Sequence, residues 1–255
     1  MYQKGSSPPL STKGFNQIRP LGIDIGISAA SAGSSYITLG ETKVKCCVSA
    51  PRPSSKRIIR ETAILSISVR HSRSDGEHQQ DFDIKAVLTE LFEGHILVRR
   101  YPHQLIQAWI TVEENDGGLF AACVMALSLA LTDAGIQMKD MVAATSVYGY
   151  RGIDGSLQMV LDLTSSEEEY YLRLHPGLSR LHLAYCPSLR KVAYLLCTGE
   201  DIRWETISSM SSLAETACEV IAAEMKSTTA EQVGWRNTDS NQMANIGAKC
   251  QEIEL

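Results

Sequence analysis

The segment Leu119–Asp133 constrains the fold more than any other part of the chain, because it is apolar almost all the way round. A helix with this pattern has to be covered on every side, so the segment predicts a central helix buried between layers. Gly135 is suited to the C-terminal cap of that helix. The apolar run at 119–131 is shorter than the ~18 residues of a membrane-spanning helix, so we expect no membrane span.

Short segments rich in β-branched and aromatic residues surround this helix and predict strands. They lie at residues 35–40, 42–50, 60–69, 105–112, 141–147, 157–163, 181–186 and 191–197. Amphipathic spacing predicts two further helices at 83–97 and 204–225, and residues 71–80 are expected to form an exposed loop. Since the strands come in pairs rather than alternating with helices, the pattern predicts an α+β fold of mixed sheets with packed helices.

Composition bounds the domain organisation and the class of partner. We expect a single domain at 19–225, between a flexible N-terminal tail at 1–18, which has no signal-peptide pattern, and a polar C-terminal tail at 226–255. The 255 residues carry a net charge of −5, so contact with RNA needs a local basic patch rather than a wholly basic domain. Seven cysteines without a C-x-x-C pair favour a reducing intracellular compartment.

General catalytic and metal-binding signatures are weak. The sequence has no Walker A, G-x-S-x-G, H-E-x-x-H or dinucleotide fingerprint, and its six histidines lie at no metal-ligand spacing, so we expect neither a metal nor a cofactor. Glu167, Glu168 and Glu169 form the densest carboxylate cluster. Three adjacent residues cannot all face one cation, so a solvated helix start, where negative charge suits the helix dipole, is the stronger interpretation.

Arg99, Arg100 and Tyr101 form the most suggestive basic group. Arginine pairs with phosphate and tyrosine stacks on bases, and both contacts suit single-stranded RNA. The same spacing fits two solvated arginines at a helix end. On spacing alone both interpretations stay open.

Four segments together resemble the RNase PH-like proteins. Residues 32–52 resemble the opening hairpin of that family, 115–140 its central helix and the D-A-G-I-x-M-x-D block that follows, 159–163 its L-D-L strand, and 187–189 its P-S-L turn. The resemblance covers residues 19–225, and the block at 115–140 is its most specific part. It implies the RNase PH-like fold, which is the fold of domain 2 of ribosomal protein S5.

The family includes phosphate-dependent exoribonucleases and ring subunits of the eukaryotic RNA exosome, many of them inactive. By resemblance, active members hold the attacking phosphate with a G-T-R segment where this chain has Gly118-Leu119-Phe120. They carry two spaced aspartates after the L-D-L strand, where this chain has only the three glutamates and Arg180 near the second position. The RNA-contacting P-R motif reads Pro102-His103. These departures predict that no catalytic residue remains.

The resemblance therefore implies a non-catalytic structural subunit of the exosome core ring, supporting 3'-5' RNA processing and degradation, including that of rRNA. Implied partners are other RNase PH-like subunits, forming heterodimers and then a six-membered ring through sheet edges, S1/KH cap proteins and a hydrolytic nuclease subunit. Single-stranded RNA would contact Arg99, Arg100 and His103 in the pore. The implied locations are nucleus, nucleolus and cytoplasm.

Two alternatives belong to different classes. One is an active phosphate-dependent 3'-5' exoribonuclease of the RNase PH type, with phosphate on the backbone amides near Gly117 and Gly118 and Glu168 as the acid. The other is an unrelated α+β binding protein. The match at residues 132–140 argues against the second.

Overall fold

Ten strands and four helices make up the part of the chain that the structure describes. The structure is a computed structural model, and it describes residues 17–53, 62–72, 79–152, 154–200 and 203–251, without the side chains of 79–83 and 233–251. The strands are β1 Leu21–Ile25, β2 Gly33–Leu39, β3 Thr42–Val48, β4 Arg52–Pro53, β5 Ile64–His71, β6 Gln104–Glu114, β7 Ala143–Arg151, β8 Leu157–Leu161, β9 Ser179–Cys186 and β10 Lys191–Thr198. The helices are α1 Gln79–His95, α2 Leu119–Asp133, α3 Ser165–Leu174 and α4 Trp204–Gln251.

The first sheet is built around β6. Strands run in the order β1-β2-β3-β6, all antiparallel, and β4 continues along the β3 side of β6 after the bend at Pro51. On its other side β6 pairs with β5 in parallel, and α1 forms the crossover between them. Buried residues alternate with more accessible ones along β3, β5 and β6, so one face of this sheet is covered and the other is open.

The second sheet has the order β10-β9-β7-β8, and all its pairs are antiparallel. Seven successive residues of β7, 143–149, are buried, so both faces of that strand are covered. Helix α2 packs on β2 and β3 of the first sheet and on β7 of the second. This position between the sheets confirms the predicted central helix, and twelve of its residues are buried.

Several element boundaries differ from the prediction. The strand pattern is not wholly one of antiparallel pairs, because β5, α1 and β6 form a parallel βαβ unit. Helix α1 begins at Gln79, inside the segment predicted as the loop 71–80, while residues 73–78 lie outside the described part. Strand β7 continues to Arg151, four residues beyond its predicted end at residue 147.

Helix α4 is much longer than predicted. Its expected end near residue 225 was wrong, because the helix continues to Gln251, through most of the segment predicted as a tail. Its buried residues, among them Met210, Ala214, Cys218 and Met225, lie at helical spacing on one face. The domain boundaries at 19 and 225 stay a prediction.

The cysteines are packed as small apolar side chains. None of the six cysteines whose side chains the structure describes forms a disulfide, and Cys46, Cys123, Cys186 and Cys218 are buried. Burial raises the pKa of the Cys186 thiol to about 11, so it stays protonated at neutral pH. None of the helices in the described part is long and apolar enough to cross a membrane.

Candidate functional site

A buried ion pair connects the start of the chain's first strand to the end of β8. Arg19 and Asp162 are 6% and 2% exposed. The Arg19 guanidinium donates from Nη2 to Asp162 Oδ1 at 2.7 Å and from Nε to Oδ2 at 2.8 Å. Burial opposes the charge on Arg19, but the hydrogen bonds and charge of Asp162 outweigh it and raise the guanidinium pKa. The guanidinium is therefore held charged inside the protein.

The same arginine holds the loop that leads into α2. Its guanidinium donates to the carbonyl oxygens of Asp116 at 2.7 Å and Gly117 at 3.0 Å. Gly118, the N-cap of α2, has φ +67°, and a Cβ on it would lie 2.6 Å from Arg19 Nη2. Glycine is needed here both for the left-handed backbone and for the close approach of Arg19.

The predicted phosphate position at the start of α2 is filled by an aromatic cluster. The Phe120 ring lies 5.3 Å from the His182 ring and 5.7 Å from the Tyr194 ring, between centroids. His182 Nδ1 is 2.7 Å from the Ser146 hydroxyl. Burial, with a smaller contribution from Arg180, lowers the pKa of His182 to about 4, so the imidazole is neutral at pH 7. This cluster of Phe120, His182, Tyr194 and Ser146 carries no positive charge for an anion.

The three adjacent glutamates have three different environments. Glu167 is buried and forms a capping box with Thr164, accepting from the Thr164 backbone N at 2.9 Å. Glu168 accepts from the Tyr148 hydroxyl at 3.0 Å and forms an ion pair with Arg180. Glu169 pairs with Arg173 at 2.5 Å on the surface of α3.

The predicted helix start is therefore present, but the expectation that all three glutamates are solvated was wrong for Glu167. A capping glutamate turns back onto the helix N-terminus and becomes buried there. Within the described residues no group of three or more histidine, cysteine, aspartate or glutamate side chains is close enough to hold a metal ion.

The predicted RNA-binding residues lie together in one short segment between α1 and β6. Arg99 and Arg100 end the 3-10 turn Val98–Arg100 and are exposed. His103 is exposed in the turn that precedes β6, with φ +59°. The Arg100 guanidinium donates a hydrogen bond to the Gln137 side chain, in the segment that follows α2. This contact restricts the orientation of Arg100.

Strand β10 is the outer edge of the second sheet within the described part of the chain. It pairs only with β9 there. Its side chains Val192, Leu195 and Leu196 are exposed, although they are large and apolar. An edge strand with exposed apolar side chains is suited to pairing with another chain.

The Arg19–Asp162 ion pair was not predicted from the sequence. Asp162 is a single charged residue within the apolar run at 159–163, and a lone acid in such a run signals a buried partner. No local signal points to Arg19 as that partner, because 143 residues separate the two. His182 does carry a local signal for burial, because it alternates with apolar residues along β9.

The fold, in which two sheets enclose α2, is shared with known proteins. A model of the 3' exoribonuclease family, domain 1, matches residues 17–137. The rice (Oryza sativa) Rrp46 crystal structure has a similar fold, with a TM-score of 0.73 and 22% identity, over 85% of this chain and 97% of that chain. The chain therefore has the RNase PH-like fold, as predicted, and its residues 17–137 match the first domain of that family.

Curated relatives extend the similarity along most of the chain. The exosome complex component RRP41 homolog of Arabidopsis thaliana is 27% identical over 227 residues, which is 85% of this chain and 89% of the relative. The putative exosome complex component RRP41 of Caenorhabditis elegans is 37% identical over 162 residues, 60% of this chain and 65% of the relative.

Proposed function

We propose that the chain is a non-catalytic structural subunit of the RNA exosome core ring. The curated relatives named as exosome complex components support the assembly, and the Phe120 cluster carries the proposal that catalysis is absent. A phosphorolytic enzyme has to bind inorganic phosphate beside the RNA end. An apolar ring at that place would desolvate a phosphate oxygen without offering it a hydrogen bond.

Glu168, the candidate for the acid that phosphorolysis requires, is also bound by neighbouring side chains. Glu168 Oε2 accepts from the Tyr148 hydroxyl, and Oε1 pairs with the Arg180 guanidinium. Because both oxygens are engaged by the protein, the carboxyl group is not free to protonate the leaving oxygen. Because both the anion site and the acid are lost, restoring one of them is not expected to restore activity.

The exposed edge β10 supports the ring part of the proposal. Val192, Leu195 and Leu196 offer an apolar surface beside unpaired backbone groups, which suits pairing with another RNase PH-like subunit. In the ring, Arg99, Arg100 and His103 are proposed to guide single-stranded RNA through the pore by charge. S1/KH cap proteins and a hydrolytic nuclease subunit are the further partners.

Three segments favour one type of ring subunit. Arg19-Pro20, the hairpin end at 49–52 and the segment at 100–102 are similar to the mRNA transport regulator subunit. We propose this subunit type, with nucleus, nucleolus and cytoplasm as locations and rRNA processing among its roles.

The assembly proposal is tested by purifying the tagged chain from native extract and identifying its partners by mass. Recovery with several RNase PH-like subunits, cap proteins and a hydrolytic nuclease is expected. Recovery as a lone homo-oligomer would remove the exosome assignment. It would also leave a phosphate-dependent exoribonuclease as the next candidate to assay.

The catalytic proposal is tested by incubating the purified chain with labelled single-stranded RNA, with and without inorganic phosphate. No phosphate-dependent release of nucleoside diphosphates is expected, either from the native chain or from Phe120→Arg. Phosphorolysis by Phe120→Arg alone would contradict the role given to Arg180. The matched variant Phe120→Leu, which keeps the position apolar, controls for disturbance of α2.

A further inference from the structure

The open face of the first sheet carries an exposed tryptophan at its centre. Leu65, Ile67 and Val69 of β5 point into the core, so Ser66, Ser68 and Arg70 point the other way. The same alternation on β6 turns Trp109 outward, where 41% of it is exposed. Helices α1 and α2 pack on the covered side of this sheet. The opposite side of the sheet, which these helices leave uncovered, is the outer face.

Strand register brings two cations close to Trp109 on the outer face. Trp109 lies opposite Cys47 on β3 and Ser68 on β5. Thr111, two residues further along β6, lies opposite Lys45 and Arg70. Diagonal neighbours of this kind are about 7–8 Å apart. Small side chains therefore flank the indole directly, and an ammonium and a guanidinium stand just beyond it.

A third cation lies on the opposite side of the tryptophan. Gln107 points outward two residues before Trp109 and accepts a hydrogen bond from the Arg52 guanidinium. Strand geometry places Gln107 about 7 Å from Trp109 along β6. Arg52 also pairs with Leu105, close to the exposed Arg99–His103 segment that precedes the strand. The outer face thus continues the basic region at the start of β6.

The negative charges of β6 lie at its far end and have partners. Glu113 accepts a hydrogen bond from the Tyr36 hydroxyl at 2.9 Å, and Glu114 pairs with Lys43 at 2.8 Å. Among the described residues no carboxylate lies within ion-pair distance of Lys45 or Arg70. Cations without carboxylate partners are notable on a chain whose net charge is −5, and they favour a polyanionic ligand.

We propose that the outer face binds single-stranded RNA, with one base stacked on Trp109 and the flanking phosphates on Lys45 and Arg70 on one side and Arg52 on the other. Base stacking on an aromatic ring tolerates any sequence, and cations to either side of it follow the backbone. This surface lies on a sheet face that adjoins the proposed pore residues but does not include them, and it does not require that the chain joins a ring. It gives the protein a second contact with RNA.

The test measures binding of a short, fluorescein-labelled oligouridylate to the purified full chain by fluorescence anisotropy. Trp109→Ala is expected to weaken binding by roughly 5- to 100-fold, the effect of losing one stacked base, and Trp109→Phe to retain most of the affinity. Trp204, at the start of α4, is 79% exposed and lies outside the sheet. The matched control Trp204→Ala is expected to leave affinity unchanged.

The phosphate contacts have a separate readout in the salt dependence. Each phosphate contact to a single strand contributes about −0.7 to the slope of the logarithm of the binding constant against the logarithm of salt concentration. Lys45→Gln combined with Arg70→Gln should therefore make the slope shallower by about 1.4. Circular dichroism and urea unfolding establish that the variants are folded. If Trp109→Ala does not fold, Trp109→Phe and the charge variants carry the test.

Three results would overturn the proposal. The first is native affinity in Trp109→Ala, and the second is an unchanged salt slope in the Lys45 and Arg70 variant. The third is a Trp109→Ala chain that loses its RNase PH-like partners in native extract while keeping its RNA affinity, because the outer face would then be a protein interface. Loss of partners by the native chain would instead contradict the proposed ring function and leave the RNA result standing.

Discussion

Removing the charge of Asp162 is expected to cost several kcal/mol of folding free energy, because a buried arginine loses its counter-ion. The carboxylate accepts three bonds from Arg19, two from the guanidinium and one from the backbone N at 3.1 Å. Breaking a buried pair on one side costs about 3–5 kcal/mol. Asparagine keeps the size of the side chain and tolerates the φ of +51° at this position. We therefore expect Asp162→Asn to lower the free energy of unfolding by about 3 kcal/mol.

Asp162→Ala should cost more, about 5 kcal/mol, because alanine adds roughly 1–2 kcal/mol of strain in the left-handed region. Both variants are measured by urea unfolding followed by circular dichroism. The surface pair Arg173–Glu169, with side chains 74% and 66% exposed, supplies the control: Glu169→Gln should cost less than about 0.5 kcal/mol. If Asp162→Asn costs no more than Glu169→Gln, the pair does not anchor the start of α2 and the reasoning is wrong.

Three further predictions test the burial of His182, the close packing at Gly33 and the role of the edge strand β10. Because the pKa of His182 is lowered from 6.5 to about 4, the unfolded chain binds the extra proton first as pH falls. The free energy of unfolding is therefore expected to drop between pH 6.5 and about 4, by up to about 3 kcal/mol. His182→Gln should make the free energy of unfolding less dependent on pH in this range, whereas His103→Gln, at an exposed position, should not. A Cβ on Gly33 would lie 2.2 Å from the backbone N of Ala134, so Gly33→Ala should destabilise the fold by about 1–3 kcal/mol. The control is Gly94→Ala, because a Cβ on Gly94 meets open space beside α1. This variant should stabilise the fold by about 0.5–1 kcal/mol, and both are measured by thermal unfolding. Leu195→Lys on β10 should abolish recovery of RNase PH-like partners without changing the unfolding midpoint, and unchanged recovery would exclude this edge as the interface.

The central helix and most strands were predictable because their signal is local. Helix α2 was found from its uniformly apolar sequence, and its end at Asp133 was predicted correctly. The alternating strands β3 and β6 were found from their period of two residues. Strand β1 was missed although Leu21, Ile23 and Ile25 alternate with Gly22 and Asp24, because glycine and aspartate are depleted in strands and five residues carry little signal.

The candidate site was less predictable because its contacts join distant parts of the chain. Resemblance located the start of α2 and the acidic segment, but it did not indicate that Glu168 would pair with Arg180. The parallel pairing of β5 with β6 was also missed, because the amphipathic pattern predicts a helix only from residue 83 and the strand pattern predicts pairs rather than a βαβ unit. Parallel pairing is decided by the packing of the crossover helix, which the strands themselves do not encode.

The position of α2 has a consequence for biosynthesis. The family match ends at residue 137, which suggests a first half able to fold by itself, yet α2 is covered on one side by β7 from the second half. A nascent chain that has emerged only as far as residue 137 leaves that side of an almost wholly apolar helix in water, where it is prone to aggregate. A premature stop codon after α2 is therefore expected to yield an insoluble product rather than a half-protein. The second sheet has to be synthesised before the first sheet and α2 can reach their final packing.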